Sequence, residues 1–228
     1  MSETILDVRG VSKSFDRKPA VRELSFAVER GTICGFLGPN GAGKTTTLRM
    51  ILGVVAPNAG EISVFGQPPS PAVRDRIGFL PEERGLYRKM TPLSIITFFG
   101  RMKGMKADEA RKRGFALLKD YGLGDVATKK VKTLSKGMAQ KVQILAAIVH
   151  EPEFVILDEP FSGLDPVNQK ILEELVGSMR DRGATVLFST HVMEHAERLC
   201  DRIVLLAKGR KVFDGKVADA IARVPRRV

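Results

Sequence analysis

The sequence predicts an α/β protein organised on a largely parallel sheet with helices on its faces, and three observations carry that prediction. The segment Gly38-Pro39-Asn40-Gly41-Ala42-Gly43-Lys44-Thr45 fits G-x-x-x-x-G-K-[ST] and lies between an apolar run, Ile33 to Leu37, and a helix-compatible stretch, Thr46 to Leu52. From Phe154 onward, short apolar runs alternate with helical stretches, the pattern of parallel strands joined by crossover helices. The run Phe154-Val155-Ile156-Leu157 ends in two acids, Asp158 and Glu159, so both carboxylates emerge at the carboxyl end of a buried strand, where open parallel sheets form their ligand crevices.

In chain order, Leu24, Phe26 and Val28 alternate with Ser25, Ala27 and Glu29, which reads as a half-buried strand. Short β-like stretches follow the phosphate-loop helix at Glu61 to Phe65 and Arg76 to Leu80, so the first eighty or so residues are strand-rich. Thr91 can cap a helix with Pro92 in its first turn; a helical pattern runs from there through Gly104 and resumes from Asp108 to about Tyr121. A third helix opens at Ser135, with Val142, Leu145, Ala146 and Val149 on one face. After the strand at 154–157 come a helix from Asp165-Pro166 to about Arg182, a strand from Ala184 to Ser189, a helix from Val192 to Leu199, and strands near Ile203 to Leu206 and Lys211 to Phe213. The chain therefore reads as a single domain over 1–228. It has a β-rich, phosphate-loop part at about 1–85, a helical insertion at about 86–149, the rest of the α/β core at about 150–215 and a basic tail at 216–228.

The 228 residues are 43 % apolar and 28 % charged, an ordinary globular balance with enough length for one large core or two joined lobes. The start lacks the basic-then-apolar pattern of a secretory signal, and no apolar run approaches the ~18 residues of a membrane-spanning helix. The expectation is a soluble, cytoplasmic protein. Cys34 and Cys200 have no spacing that suggests a metal or redox site and read as small core residues. The net charge of +11 is spread over Arg111-Lys112-Arg113, Lys129-Lys130 with Lys132, and Arg223, Arg226 and Arg227, with no interleaved aromatics. No nucleic-acid reading module accompanies these residues, so nucleic acid is not expected. A basic surface near anionic lipid headgroups explains the charge as well as a merely solvated one does.

The chemistry of the two motifs is complementary. Glycines let backbone N–H groups turn inward around a polyphosphate, and the following helix presents unpaired amides and a partial positive charge to the same anion. Gly38 through Thr46 are thus the nucleotide-binding candidates, with Lys44 reaching the β and γ phosphates and Thr45 ligating Mg²⁺. Asp158 is placed to hold the ion, and Glu159 to orient and deprotonate the attacking water.

A third motif lies between these two: Leu134-Ser135-Lys136-Gly137-Met138, at the start of a helix. With Ser162-Gly163-Leu164-Asp165 after the acids and Ser189-Thr190-His191 beyond them, the chain resembles the ATP-binding cassette ATPases from about Ile5 to Gly215. The resemblance implies a P-loop NTPase (RecA-like) core with an N-terminal antiparallel β subdomain and an inserted α-helical subdomain. It further implies an ATP hydrolase using ATP and Mg²⁺, in which two chains, as a homodimer or a heterodimer with a similar cassette, pack head to tail on ATP binding. Ser135, Lys136, Gly137 and Met138 would then form the signature that contacts the γ phosphate on the partner's Lys44. His191 would hold the γ phosphate and water, and Asp165 would communicate across the dimer. Phe15 stands where the family has an adenine-stacking aromatic.

Two positions depart from the family pattern. Glu82 stands where Gln normally binds Mg²⁺ and links the site to the helical insertion; a carboxylate can ligate the ion but adds negative charge and cannot donate a hydrogen bond. Glu83 is an alternative contributor. Lys136 and Met138 replace Gly and Gln of the signature. The stretch Pro81 to Tyr87 together with this signature resembles the sodium-extrusion and drug-export branch of bacterial cassette exporters. The expected function is therefore a transporter ATPase subunit that drives a separately encoded transmembrane permease, held at the inner face of the cell membrane by that permease. A cassette acting on nucleic acid or ribosomes, and a nucleotide-gated regulator with little turnover, are the alternatives. His150 and His195 match no motif and read as cap or surface residues.

Overall fold

The computed structural model describes residues 3–83 and 85–222; Arg84 and the basic residues Arg223, Arg226 and Arg227 lie outside the described residues. β1 (Thr4–Phe15) and β2 (Lys18–Glu29) form an antiparallel pair, β3 (Ile33–Leu37) departs to a second sheet, α1 (Lys44–Ile51) follows, and β4 (Ala59–Val64) returns to the other side of β1. In β2 the alternation is realised as expected: Leu24, Phe26 and Val28 are buried, whereas Ser25 and Glu29 are exposed.

The chain continues through α2 (Pro71–Asp75) and β5 (Ile77–Leu80) to α3 (Pro92–Met102) and α4 (Ala107–Asp120). Thr91 caps α3 as its sequence indicates. Its hydroxyl accepts the Ser94 N–H at 3.2 Å while Ser94 Oγ accepts the Thr91 N–H at 2.9 Å, a reciprocal pair that satisfies two otherwise orphaned donors. α5 (Lys136–Ile148) is capped by Ser135, which accepts the Met138 N–H at 3.2 Å.

β6 (Phe154–Asp158), α6 (Pro166–Asp181), β7 (Thr185–Thr190), α7 (Met193–Leu199), β8 (Arg202–Ala207), β9 (Arg210–Gly215) and α8 (Val217–Ala222) complete the described chain. The second sheet has the order β5-β6-β7-β3-β8-β9 and is parallel except for β9, which turns back on β8 through Lys208 and Gly209, both at positive φ. α8 falls inside the segment read as a basic tail.

The central strands β3, β6 and β7 are buried at every residue, which explains their continuous apolar runs. Alternate side chains feed two cores. Val155, Leu157, Val186 and Phe188 pack against α3 to α6, while Phe154, Ile156, Leu187, Cys34 and Phe36 pack against α1 and the antiparallel sheet. Cys34 is fully buried, and burial pushes its thiol up to about 12; Cys200 is partly buried and likewise shifted upward. Both are inert core thiols.

Candidate functional site

Parallel register sets the site. Leu37 pairs with Thr190, Asp158 with Ser189 and Leu80 with Leu157, so the loops after β3, β5, β6 and β7 open at the same end of the sheet. There Ala20, residues 39 to 46, Glu82 and Glu159 line a cleft of about 410 Å³. A larger hollow of about 820 Å³, bordered by β1, β4 and residues 53 to 57, contains none of the sequence motifs and no comparable convergence of functional groups.

The phosphate loop has the backbone its glycines allow. Gly43 has φ 101° and a Cβ there would stand 2.6 Å from the Ala20 carbonyl, so only glycine fits both the left-handed geometry and the close approach. Gly43 is also the N-cap of α1 and offers no side-chain acceptor, which leaves the first-turn amides of Lys44 to Thr46 for an anion. Gly43→Ala is expected to cost at least ~10-fold in nucleotide affinity by tilting these amides; isothermal titration with ATP measures it, and unchanged affinity contradicts the role given to the loop.

Lys44 is buried, with Nζ donating to the Gly38 carbonyl at 2.6 Å. The same Nζ lies 3.2 Å from Glu159 Oε1, an ion pair without hydrogen-bond alignment, since that oxygen has no hydrogen-bond partner although it is buried. The other carboxylate oxygen, Oε2, is 3.0 Å from His191 Nδ1. Glu159 therefore bridges the loop lysine and the switch histidine. Its backbone sits at φ 47°, a left-handed value uncommon for Glu, and is held there by its N–H donating to Ser189 Oγ at 3.0 Å. Ser189 Oγ in turn donates to Asp158 Oδ1 at 2.5 Å, so one hydroxyl fixes both strand acids. Asp158 is 2 % exposed, an expensive place for a carboxylate unless hydrogen bonds or a cation serve it.

Thr45, Asp158 and Glu82 supply only oxygen donors, the set a hard divalent cation takes. Among the described residues no group of three or more acidic, His or Cys side chains forms a cage by itself. Glu82 lines the cleft; Glu83 is exposed and does not.

The other predicted residues lie outside the cleft. Phe15, 48 % exposed, ends β1 with the Lys13 ammonium 5.2 Å over its ring, leaving an open π face. Ser135 and Lys136 are exposed, and none of Ser135, Lys136, Gly137 and Met138 borders the phosphate loop. Gly137 is pressed against Asn168, whose side chain would lie 2.6 Å from a Cβ at Gly137. Asn168 donates through Nδ2 to Asp165 Oδ2 at 2.6 Å and through N–H to Oδ1 at 3.0 Å, which holds the Asp165 carboxyl below its ordinary range and fixes the start of α6 against the signature.

Two residues escaped the sequence reading. Gln140 is buried on α5 and donates to the Pro160 carbonyl next to Glu159; a Gln interrupting an apolar helix face was its only signal. His195, read as a cap or surface residue, is 5 % exposed. It sits in the first turn of α7, where Phe161 and Glu173 cover its ring.

A phosphate loop, a lysine, two acids at a strand end and a histidine in contact with one of them, all at the carboxyl end of a parallel sheet, define a P-loop nucleoside triphosphatase. The ABC transporter family model matches residues 21–162. The chain is 45 % identical over 215 residues to an uncharacterized ABC transporter ATP-binding protein, YhaQ, of Bacillus subtilis, covering 94 % of this chain and 72 % of that protein. It is 44 % identical to the Nod factor export ATP-binding protein I of Burkholderia lata, covering 92 % of this chain and 70 % of that one. The solved structure of cbiO1 from Clostridium perfringens, described as part of the ABC transporter complex cbiONQ, superposes with a TM-score of 0.87 at 27 % identity, over 97 % of this chain and 92 % of that one. The chain belongs to the ABC transporter family as an ATP-binding subunit, and its activity is ATP hydrolysis.

Proposed function

We propose that this subunit hydrolyses Mg²⁺-ATP in a site completed by a second cassette and uses the resulting closure to drive a separate membrane permease, in the export direction. The observation that supports this reading best is the separation, within one chain, of a formed phosphate loop from a signature whose Ser135 and Lys136 are exposed. Ser135 and the Gly137 amide head a 13-residue helix, an anion-favouring end that does not border the cleft lined by the phosphate loop of its own chain.

In this reading the Lys44 ammonium leaves Glu159 for the β and γ phosphates, and the first-turn amides of α1 hold the same oxygens. Glu159, released from Lys44, takes the proton of the attacking water, and His191 keeps water and γ phosphate aligned through its contact with that carboxylate. Thr45, Asp158 and Glu82 would hold Mg²⁺, which supplies charge neutralisation between the β and γ phosphates. Phe15 stacks on the adenine. Asp165, tied through Asn168 to Gly137, relays the state of one site to the other.

The permease reading draws support from an aromatic patch formed by α3 and the segment before it. Tyr87 meets Phe98 edge-on with centroids 6.3 Å apart, Phe98 meets Phe99 at 5.7 Å, and Tyr87, Phe98, Phe99 and Met102 are all exposed. Such a patch marks a partner surface, and only four residues of chain separate Tyr87 from Glu82 in the cleft. No helix among the described residues is long and apolar enough to cross a membrane. The name of the Burkholderia relative, a Nod factor export protein, supports the direction. Phe98→Asp with Tyr87→Asp is expected to abolish co-purification with the permease while leaving ATP affinity within about two-fold, because neither residue lines the cleft. Retained co-purification contradicts the assignment of the patch.

A further inference from the structure

His195 makes two side-chain contacts, one with the segment that follows Glu159 and one with α6. Its ring stacks flat on Phe161, centroids 4.2 Å apart and planes 20° from parallel. Its Nδ1 is 3.4 Å from Glu173 Oε1 on α6, a carboxylate that also receives Arg198 Nη1 at 3.3 Å. Phe161 lies two residues after Glu159 and packs edge-on against Phe188, 5.7 Å away at 81°. Phe188 immediately precedes Ser189, the hydroxyl that fixes Asp158 and the Glu159 amide. His195, the third residue of α7, lies four positions after His191, which precedes the Val192 N-cap.

The three rings form one chain of contacts, His195 stacked on Phe161 and Phe161 edge-on to Phe188, that joins α7 to the segments presenting Asp158 and Glu159. A leucine would fill the same space at no desolvation cost. An imidazole buried to 5 % exposure costs free energy unless a partner orients it, and Glu173 is that partner. Stacking fixes the plane of Phe161 and the Glu173 contact fixes rotation about that plane, so the α7 segment cannot slide against the loop from Glu159 to Asp165 without breaking one of them.

We infer that His195 is a positioning residue: clamped between Phe161 and Glu173, it holds the His191 segment against the Glu159 loop and so maintains the 3.0 Å contact between His191 and Glu159. The inference rests on the roles given above to His191 and Glu159. His195 does not line the cleft and acts through His191.

The test compares His191→Ala, His195→Ala, His195→Phe and the double His191→Ala/His195→Ala in the full chain. Turnover is read by phosphate release, affinity with a fluorescent ATP analogue, and local order by amide hydrogen exchange. His195→Ala is expected to lower turnover on the order of 10-fold, since small misplacements of reacting groups cost that much or more, with affinity within about two-fold. The double variant is expected to be no slower than His191→Ala alone, because a residue acting only through His191 has nothing further to lose. Exchange is expected to quicken at residues 161–165 and 192–193 and nowhere else in the sheet, and His195→Phe, which restores the stack without the Glu173 contact, to recover part of the turnover. Losses that multiply in the double variant, affinity that falls in step with turnover, or unchanged exchange in those two segments overturns the clamp. If His191→Ala turns over like wild type, the role given to His191 fails instead, and the exchange result alone decides whether His195 joins the two segments.

Discussion

Replacing Glu159 with Gln is expected to lower ATP turnover by at least ~10³-fold while nucleotide binding is kept or tightened, because a positioned general base contributes about 10²–10⁴ and the amide cannot accept the proton. The substitution is nearly isosteric, so the left-handed turn and its N–H bond to Ser189 Oγ persist. What changes is charge. Lys44 loses the carboxylate 3.2 Å away and is freed for phosphate, and one of the two acids lining the cleft is neutralised. Steady-state phosphate release and equilibrium ATP binding on the same preparation check both halves. Turnover near the wild-type rate removes Glu159 from its role, and the buried Asp158, anchored by Ser189, becomes the alternative base.

Lys44→Ala is expected to act on binding itself. Lys44 is the only basic side chain among the described residues lining the cleft, facing Glu82 and Glu159. Removing it takes away a charge-assisted bond of about 1.5–3 kcal/mol to the phosphates and leaves two carboxylates facing a triphosphate. The expected loss of ATP affinity is about 100-fold, and turnover falls below detection. Glu159 is 8 % exposed and would stand without its cation, so the apo protein is expected to lose about 1–3 kcal/mol of stability as well. Calorimetric titration separates the binding loss from the stability loss seen in urea unfolding. Affinity within three-fold of wild type contradicts the placement of the phosphates against Lys44.

The contrast between these substitutions shows what was legible in the sequence. A glycine-spaced loop and two acids at a strand end are local patterns, each dictated by backbone geometry over a few residues, and the parallel register did the remaining work of bringing Lys44, Glu159 and His191 together. The helix boundaries followed the same logic. Thr91, Ser135 and Asp165 all cap as their positions before apolar runs indicate.

β1 was harder to read, because its register shifts between Val8 and Val11, where Arg9 and Gly10 interrupt the pairing, and a bulge destroys the period-two pattern on which strand reading depends. α2 spans five residues, too short for a helical period, although Ser70 before Pro71 is a capping signal and does accept the Val73 N–H at 3.3 Å. The hidden parts of the site are its supports. Ser189, Gln140 and His195 act through residues 20 to 34 positions away in the chain, and no local pattern announces such pairings. A polar residue at a core position is the trace they leave, and that trace says only that a partner exists.

Charge is the other feature that sequence and fold explain at different levels. The excess of +11 includes Arg111, Lys112 and Lys129, all exposed in the region between α3 and α5.

Whether the site is composite is tested most directly by the mass in solution of the Glu159→Gln protein, measured by light scattering after size exclusion, with and without saturating Mg²⁺-ATP. An exposed signature that completes a partner's site predicts the mass of one chain without nucleotide and of two chains with it, and the pair dissolves when Ser135→Arg is added to the same chain. A protein that binds ATP with full occupancy and remains a single chain, or one that pairs equally well with Ser135→Arg, contradicts the shared site.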